Sequence, residues 1–274
     1  MSTIVFQSYR THDVAPWITT CLDTVRRWAE RRGHAYAFID DQLFDRLPAW
    51  YSDAVGHRLL PRTNLARLLA AREFLASGYE RAIWVDADVL VFDAARWAPE
   101  PGPDGFAFTK EVWFETRWGA PLTRPGINNA VFIVSRDDPF LDFCIWAHER
   151  IARTNTQIHD YATTTRLLTD LDRGAPLPVI TSVALISAVV NRAVRERRTG
   201  DLRAYIRSHG YPVQAANLSG SIVGREVNSV VVTAADQLAV IDVLLSTHGS
   251  VLNDHLEGQA ALSPASHAQP GNAR

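Results

Sequence analysis

The stretch Arg81-Ala82-Ile83-Trp84-Val85-Asp86-Ala87-Asp88-Val89-Leu90-Val91-Phe92 places two carboxylates, one residue apart, inside an otherwise apolar run. An ionised carboxylate is costly to desolvate unless it has a partner. Side chains alternate along a strand, so residues i and i+2 share one face. Read as a single strand, the stretch aims Asp86 and Asp88 the same way, and where the strand ends they can reach one ligand. A divalent cation held by hard oxygen ligands is the simplest such ligand. The plain alternative is a solvated strand end.

Upstream, residues 4–8 read as a buried strand and residues 16–32 as a helix closed by Gly33. Residues 34–39 read as a second strand that ends at Asp40-Asp41. A Trp- and Tyr-bearing irregular region follows. Residues 64–77 then read as an amphipathic helix with Leu65, Leu68, Leu69 and Phe74 on its apolar face and Gly78 after its end. This β-α-β-α-β succession predicts a mostly parallel sheet with helices on its faces. In such sheets ligands bind beyond the carboxyl ends of the strands, which is where Asp40 and the Asp86/Asp88 pair fall.

Downstream, residues 106–110 predict a strand and residues 129–134 another, preceded by Asn128. Between them Trp113, Phe114 and Trp118, set among charges and prolines, suit a binding loop. Residues 139–153, 161–171 and 183–198 read as helices, and residues 213–218 as a short strand. Thr233 with Asp236 forms an acidic capping box for a last helix. The Ala/Ser/Pro/Gln-rich residues 258–274 read as a disordered tail.

With 274 residues, 47% apolar and 21% charged, the chain has the composition of an ordinary globular domain. A net charge of −2 gives no basic field for nucleic acid, so no nucleic-acid partner is expected. Lys110 is the only lysine among 28 basic residues, which excludes a P-loop. Cys21 and Cys144 fall in predicted helices and read as small core residues. No apolar run reaches the ~18 residues a membrane span needs. Without a basic leader at Met1-Ser2-Thr3, a cytoplasmic location is the expectation.

The D-x-D at Asp86 and Asp88, closing an apolar strand, resembles the metal and nucleotide-sugar motif of glycosyltransferases with the GT-A fold. The similarity extends to Thr63-Asn64-Leu65-Ala66-Arg67 and Leu75-Ala76-Ser77-Gly78-Tyr79, a block like that of mannosyl- and galactosyltransferases, with Asn64 where many have Asp. Ile127-Asn128-Asn129-Ala130-Val131 resembles the family's Asn-Ala-Gly strand, with Val131 in place of glycine. Asn217-Leu218-Ser219-Gly220 is similar to the H-x-x-G segment of glycogenin-like enzymes, with Asn in place of His.

The resemblance implies an α/β fold of GT-A, Rossmann-like type with a mainly helical C-terminal extension. It implies one catalytic domain over residues 1–257, with a nucleotide-binding part at about 1–110 and an acceptor part at about 111–257. The implied reaction is a metal-dependent hexosyl transfer from a nucleotide-sugar, UDP before GDP, with a retaining course slightly favoured. The acceptor, whether small molecule, glycan or protein, and the oligomeric state are not fixed. Asp86, Asp88 and Asn217 would hold Mn²⁺ or Mg²⁺, with His248 competing as third ligand. Arg67, Ala87 and Asn128 would line the donor. Asn129 and Asp160 would face the sugar, though Asp160 also reads as the N-cap of the helix it opens. Ser8, Tyr9, Arg10 and Asp40 would surround the nucleoside. Two other classes share these residues: a non-catalytic nucleotide- or sugar-binding module of the same fold, and a haloacid dehalogenase-type phosphatase with Asp86 as nucleophile.

Overall fold

The computed structural model describes residues 2–155, 158–159, 162–163, 165–254 and 256. The chain opens with β1 (Thr3–Ser8), α1 (Pro16–Arg31), β2 (Ala35–Ile39), a 3-10 turn (Asp41–Arg46), α2 (Ala49–Val55), α3 (Leu59–Ala76) and β3 (Arg81–Val85). β1 lies between β2 and β3 and is parallel to both, with Ile4 beside Ala35 and Ala82. Helices cover both faces of such a strand, so it shows no polar alternation; Ile4, Val5 and Phe6 are all buried. Pro16 presets the first turn of α1. Gly33, at φ +69°, lets the chain turn back into β2.

Next come β4 (Val89–Val91), β5 (Phe106–Arg117), β6 (Ala120–Ser135), α4 (Pro139–Thr154), α5 (Thr165–Gly174) and β7 (Val179–Ile180). The main sheet has the order β2-β1-β3-β6-β5-β7. β6 runs antiparallel to both neighbours and the other strands share one direction. The chain then forms β8 (Val183–Leu185), α6 (Ala188–Arg195), α7 (Thr199–His209), β9 (Ala215–Asn217), a hairpin of β10 (Glu226–Val227) and β11 (Val230–Val231), and α8 (Ala234–Ser246). A second, three-stranded sheet has the order β4-β9-β8. The result is a mixed α/β architecture with a mostly parallel central sheet. One core gathers Phe6, Phe74, Trp84 and Phe132, with the Phe6 ring 5.1 Å from Phe74 and 5.2 Å from Trp84. A second core, around Trp17, Leu90, Ala216 and Ile241, fills the space between the small sheet and the late helices.

Four expectations change. The region before residue 64 is helical: the 3-10 turn and α2 occupy it, and α3 begins at Leu59. Nor is α3 amphipathic, since every residue from Asn64 to Ala71 is buried. It packs against β3, α4 and the 3-10 turn, and small side chains at Ala66, Ala70 and Ala71 let those neighbours close in. Residues 112–125 are not a loop but the far half of the β5–β6 hairpin. Its two-residue turn, Trp118-Gly119, has positive φ at both positions, 51° and 79°, the hairpin type usually written with Asn-Gly. Residues 183–198 divide into β8 and α6, with the Ser187 hydroxyl accepting from Val190 N to cap the helix.

Candidate functional site

The decisive stretch does not form one strand. β3 belongs to the main sheet and β4 to the small one, and Asp86-Ala87-Asp88 is the turn between them, closed by Val89 N donating to Asp86 O at 3.1 Å. Strand alternation therefore does not set the two carboxylates. The turn does so instead: Ala87 is buried in the second core while Asp86 and Asp88 are each only partly buried. The turn sits at the carboxyl end of β3, pinned by Asp86 N donating to Ala130 O at 2.7 Å. Gln7, fully buried on β1, donates from Nε2 to Asp86 O at 3.3 Å and is itself held by the Tyr36 hydroxyl.

Behind Asp86 lies a buried cation. Arg67 is 4% exposed, and its Nη1 donates to Asp86 Oδ1 at 2.7 Å and to Asn129 O at 3.0 Å. Its Nη2 donates to Asn64 Oδ1, and Asn64 Nδ2 donates to Thr163 Oγ1 at 3.2 Å. The guanidinium lies over the Trp84 ring, whose Nε1 also donates to Asp86 Oδ1, at 2.6 Å. Asn64 thus bridges Arg67 and Thr163, its amide oxygen accepting from the guanidinium and its nitrogen donating to the Thr163 hydroxyl. Burial pushes the Asp86 carboxyl up to about 6, with Asp88 adding to the rise and Arg67 opposing it. Burial likewise raises Asp88, against the hydrogen bond from Gly220.

Asp88 is held from the small sheet. Gly220 N donates to Asp88 Oδ2 at 2.7 Å and Leu218 N to Asp88 O at 2.9 Å. A Cβ at Gly220 would stand 3.1 Å from Asp88 Oδ2 and 3.2 Å from the Trp17 ring, so glycine permits the approach. Asn217 lies beside Val89 in the β4–β9 ladder, and its Oδ1 accepts from Ser219 N at 2.8 Å. His248 is exposed in the turn after α8, at φ +48°. Among the described residues no group of three or more His, Cys, Asp or Glu is placed to hold a metal ion.

The opposite wall is a break in the β5–β6 ladder. Phe108 pairs with Phe132 but Thr109 pairs with Asn128, which leaves residues 129–131 bulged out of register. Side chains replace the missing ladder bonds. Thr109 Oγ1 donates to Val131 O at 2.7 Å and accepts from Val131 N at 3.0 Å, while Asn128 Oδ1 accepts from Ala130 N. The break leaves the Asn129 carbonyl free for Arg67, while the Ala130 carbonyl accepts from Asp86 N as the next rung of the β3–β6 ladder. Asn128 Nδ2 donates to Glu111 Oε2 at 2.7 Å, and burial raises the Glu111 carboxyl.

The remaining candidates are more scattered. Ser8, Tyr9 and Asp40 cluster where β1 and β2 end: Ser8 Oγ donates to Asp40 O and Tyr9 N to Ile39 O. Arg10 lies over the Tyr9 ring, and Asp40 caps the 3-10 turn while lining a hollow with Thr11, Gln42 and Arg46. Phe114 is core, packed edge-on against Tyr205; Trp113 is partly buried; Trp118 is 91% exposed. Asp160 lies outside the described residues. Gln7, Trp84, Thr109 and Glu111 had no role assigned from the sequence, and Gly220 entered only as the glycine of the H-x-x-G-like segment. Of the four, Gln7 left a signal in the sequence, a polar residue inside the apolar run of β1.

A mostly parallel sheet flanked by helices, with a carboxylate pair where its third strand ends, is the architecture expected of the GT-A type. No protein-family model matches the chain, and no curated protein matches it. Among solved structures it is similar to a glycosyltransferase involved in glycosylation of the major capsid of PBCV-1, at 15% identity over 87% of this chain and 98% of that one, TM-score 0.48. It is also similar to the galactosyltransferase LgtC in complex with donor and acceptor sugar analogues, at 12% identity over 88% and 95% of the two chains, TM-score 0.45. A third is the apo glycosyltransferase GlyE of Streptococcus pneumoniae TIGR4, at 11% identity over 94% of this chain and 63% of that one, TM-score 0.42.

Proposed function

We propose that this chain is a metal-dependent glycosyltransferase that moves a hexose from a nucleotide-sugar, UDP-linked before GDP-linked, to an acceptor still to be identified. The observation that carries the reading is Asp86 on the buried Arg67, with Asp88 held beside it by Gly220, at the carboxyl end of β3. Structural roles account for one oxygen of each carboxylate. Asp86 Oδ2 and Asp88 Oδ1 have no partner from another residue among the described residues.

Two such oxygens fit a hard cation, Mn²⁺ or Mg²⁺. Asn217 is the third donor, using the second lone pair of an oxygen already engaged by Ser219 N. When bound, the cation supplies a Lewis acid for the charge that develops on the departing diphosphate. Arg67 fixes which way Asp86 points and keeps it ionised. Ser8, Tyr9, Arg10 and Asp40 receive the nucleoside, while Asn128, Asn129 and the backbone of Ala87 line the donor sugar and phosphates. Asp160, before α5, is assigned to the sugar or acceptor. That placement and the glycogenin-like Asn217 segment favour a retaining course. No helix among the described residues is long and apolar enough to cross a membrane. A cytoplasmic location and a single domain over residues 1–257 belong to the same proposal.

The phosphatase alternative is not favoured, because two strands and three α-helices precede β3, the strand that leads into the Asp86 turn. Thermal unfolding with UDP, GDP or phosphate, with and without Mn²⁺, tests the reading. Binding raises the midpoint with ligand concentration. We expect a rise with UDP that grows when Mn²⁺ is present and disappears in Asp88→Ala; an undiminished rise in that variant overturns the site. Hydrolysis of a UDP-hexose by the wild type separates an enzyme from a binding module.

A further inference from the structure

A chain of buried polar side chains reaches the Asp88 turn from the far side of the second core. Arg195, at the end of α6, pairs with Asp236 at 2.9 Å, and its Nε donates to Asn191 Oδ1 at 3.0 Å. Asn191 Nδ2 donates to Gln237 Oε1 at 3.1 Å, and Gln237 Nε2 donates to Leu218 O at 2.7 Å. Asn191, Gln237 and Leu218 are each 0% exposed. Asp236 is anchored in turn by the capping box it forms with Thr233 at the start of α8.

The direction of every bond in this chain is determined by its ends. A guanidinium can only donate and a backbone carbonyl can only accept. Asn191 must therefore present oxygen to Arg195 and nitrogen to Gln237, and Gln237 must present oxygen to Asn191 and nitrogen to Leu218. No hydroxyl intervenes that could reverse the order. Leu218 is clamped on both sides, since its N–H donates to Asp88 O while its carbonyl accepts from Gln237. Two residues on, Gly220 N donates to Asp88 Oδ2.

We propose that Asn191 and Gln237 are positioning residues: they transmit the Arg195–Asp236 ion pair to the Leu218–Gly220 turn and so fix which oxygen of Asp88 is committed and which is left for the cation. This rests on the reading of Asp86 and Asp88 as a cation and diphosphate site. Buried polar groups that orient a ligating carboxylate are costly to lose, typically about 10–100-fold in metal affinity.

The test is calorimetric titration of the full chain with UDP, alone and with Mn²⁺, comparing wild type, Asp88→Ala, Gln237→Glu and Asn191→Leu. Gln237→Glu keeps the shape but sets an acceptor against the Leu218 carbonyl. We expect UDP affinity without metal to stay at the wild-type value in the Gln237 and Asn191 variants. The increment added by Mn²⁺ should fall about tenfold or more. A wild-type increment that is lost in Asp88→Ala yet unchanged in Gln237→Glu and Asn191→Leu overturns the relay alone. So does an equal fall with and without metal, which marks general loosening. A wild type with no Mn²⁺ increment overturns the relay and the site together. If the inner variants do not fold, Arg195→Met at the half-buried outer end decides, and an unchanged Mn²⁺ increment there counts against the relay.

Discussion

Arg67 serves three acceptors with one planar group: the Asp86 carboxylate, the Asn129 carbonyl and the Asn64 amide oxygen. A lysine at this position offers a single ammonium and cannot reproduce that fork. Replacing it with methionine leaves Asp86 with the Trp84 indole alone. Breaking a buried pair from one side costs about 3–5 kcal/mol. Asp86 retains 29% side-chain exposure, so Arg67→Met is expected near the lower end, about 3 kcal/mol by urea unfolding. It should lose Mn²⁺-dependent UDP binding as well. A loss under about 1 kcal/mol, the size of an exposed pair, would mean that the pair is solvent-screened.

The element that shapes the site is the β5–β6 hairpin with its break at Thr109. A regular β5–β6 ladder would commit the Asn129 carbonyl to β5 and leave it nothing to offer Arg67 on α3. Thr109 makes the break tolerable by satisfying both polar groups of Val131 with one hydroxyl. Thr109→Val keeps the shape and removes that hydroxyl, stranding a buried N–H and carbonyl. The expected loss is about 2 kcal/mol in thermal or urea unfolding. UDP binding should weaken too, because the bulge presents Asn129 to Arg67. A variant as stable as the wild type would show that the ladder closes without it. The hairpin itself was hidden in the sequence because Trp118 occupies a turn position usually given to Asn or Gly. Pro121 and Pro125 also stand inside a strand, where proline is uncommon.

For the whole molecule, two buried histidines weigh against stability in acid. Burial pushes His148 and His209 down to about 4 from an ordinary 6.5, against backbone hydrogen bonds that raise them. A group lowered on folding stabilises fully above its unfolded value, and that contribution is lost as pH falls through the folded value. Each histidine therefore removes up to about 1.4 kcal/mol per pH unit between 6.5 and 4. Asp86, raised to about 6, acts in the opposite sense: it adds stability as pH falls through 6 toward its unfolded 3.8. Asp86 therefore offsets part of what the two histidines lose. Urea unfolding from pH 7 to 4.5 should show it, and His148→Gln with His209→Gln should flatten the slope. An unchanged slope in the double variant would place the acid sensitivity elsewhere.

By itself, the sequence determined the local signals: the apolar runs that become parallel strands, Pro16 and Gly33 at the ends of α1, the Thr233 capping box, and two carboxylates that no buried strand would carry unpartnered. These were legible because each depends on a few neighbouring residues. Tertiary structure decided what those carboxylates face. It divides Arg81–Phe92 between two sheets at the Asp86-Ala87-Asp88 turn, buries Arg67 on a helix expected to be amphipathic, and brings Gly220 to Asp88 across 132 positions of chain. No window of sequence carries that pairing, because it is set by which faces of the two sheets and α3 pack together, and burial, not spacing, gives each charge its partner.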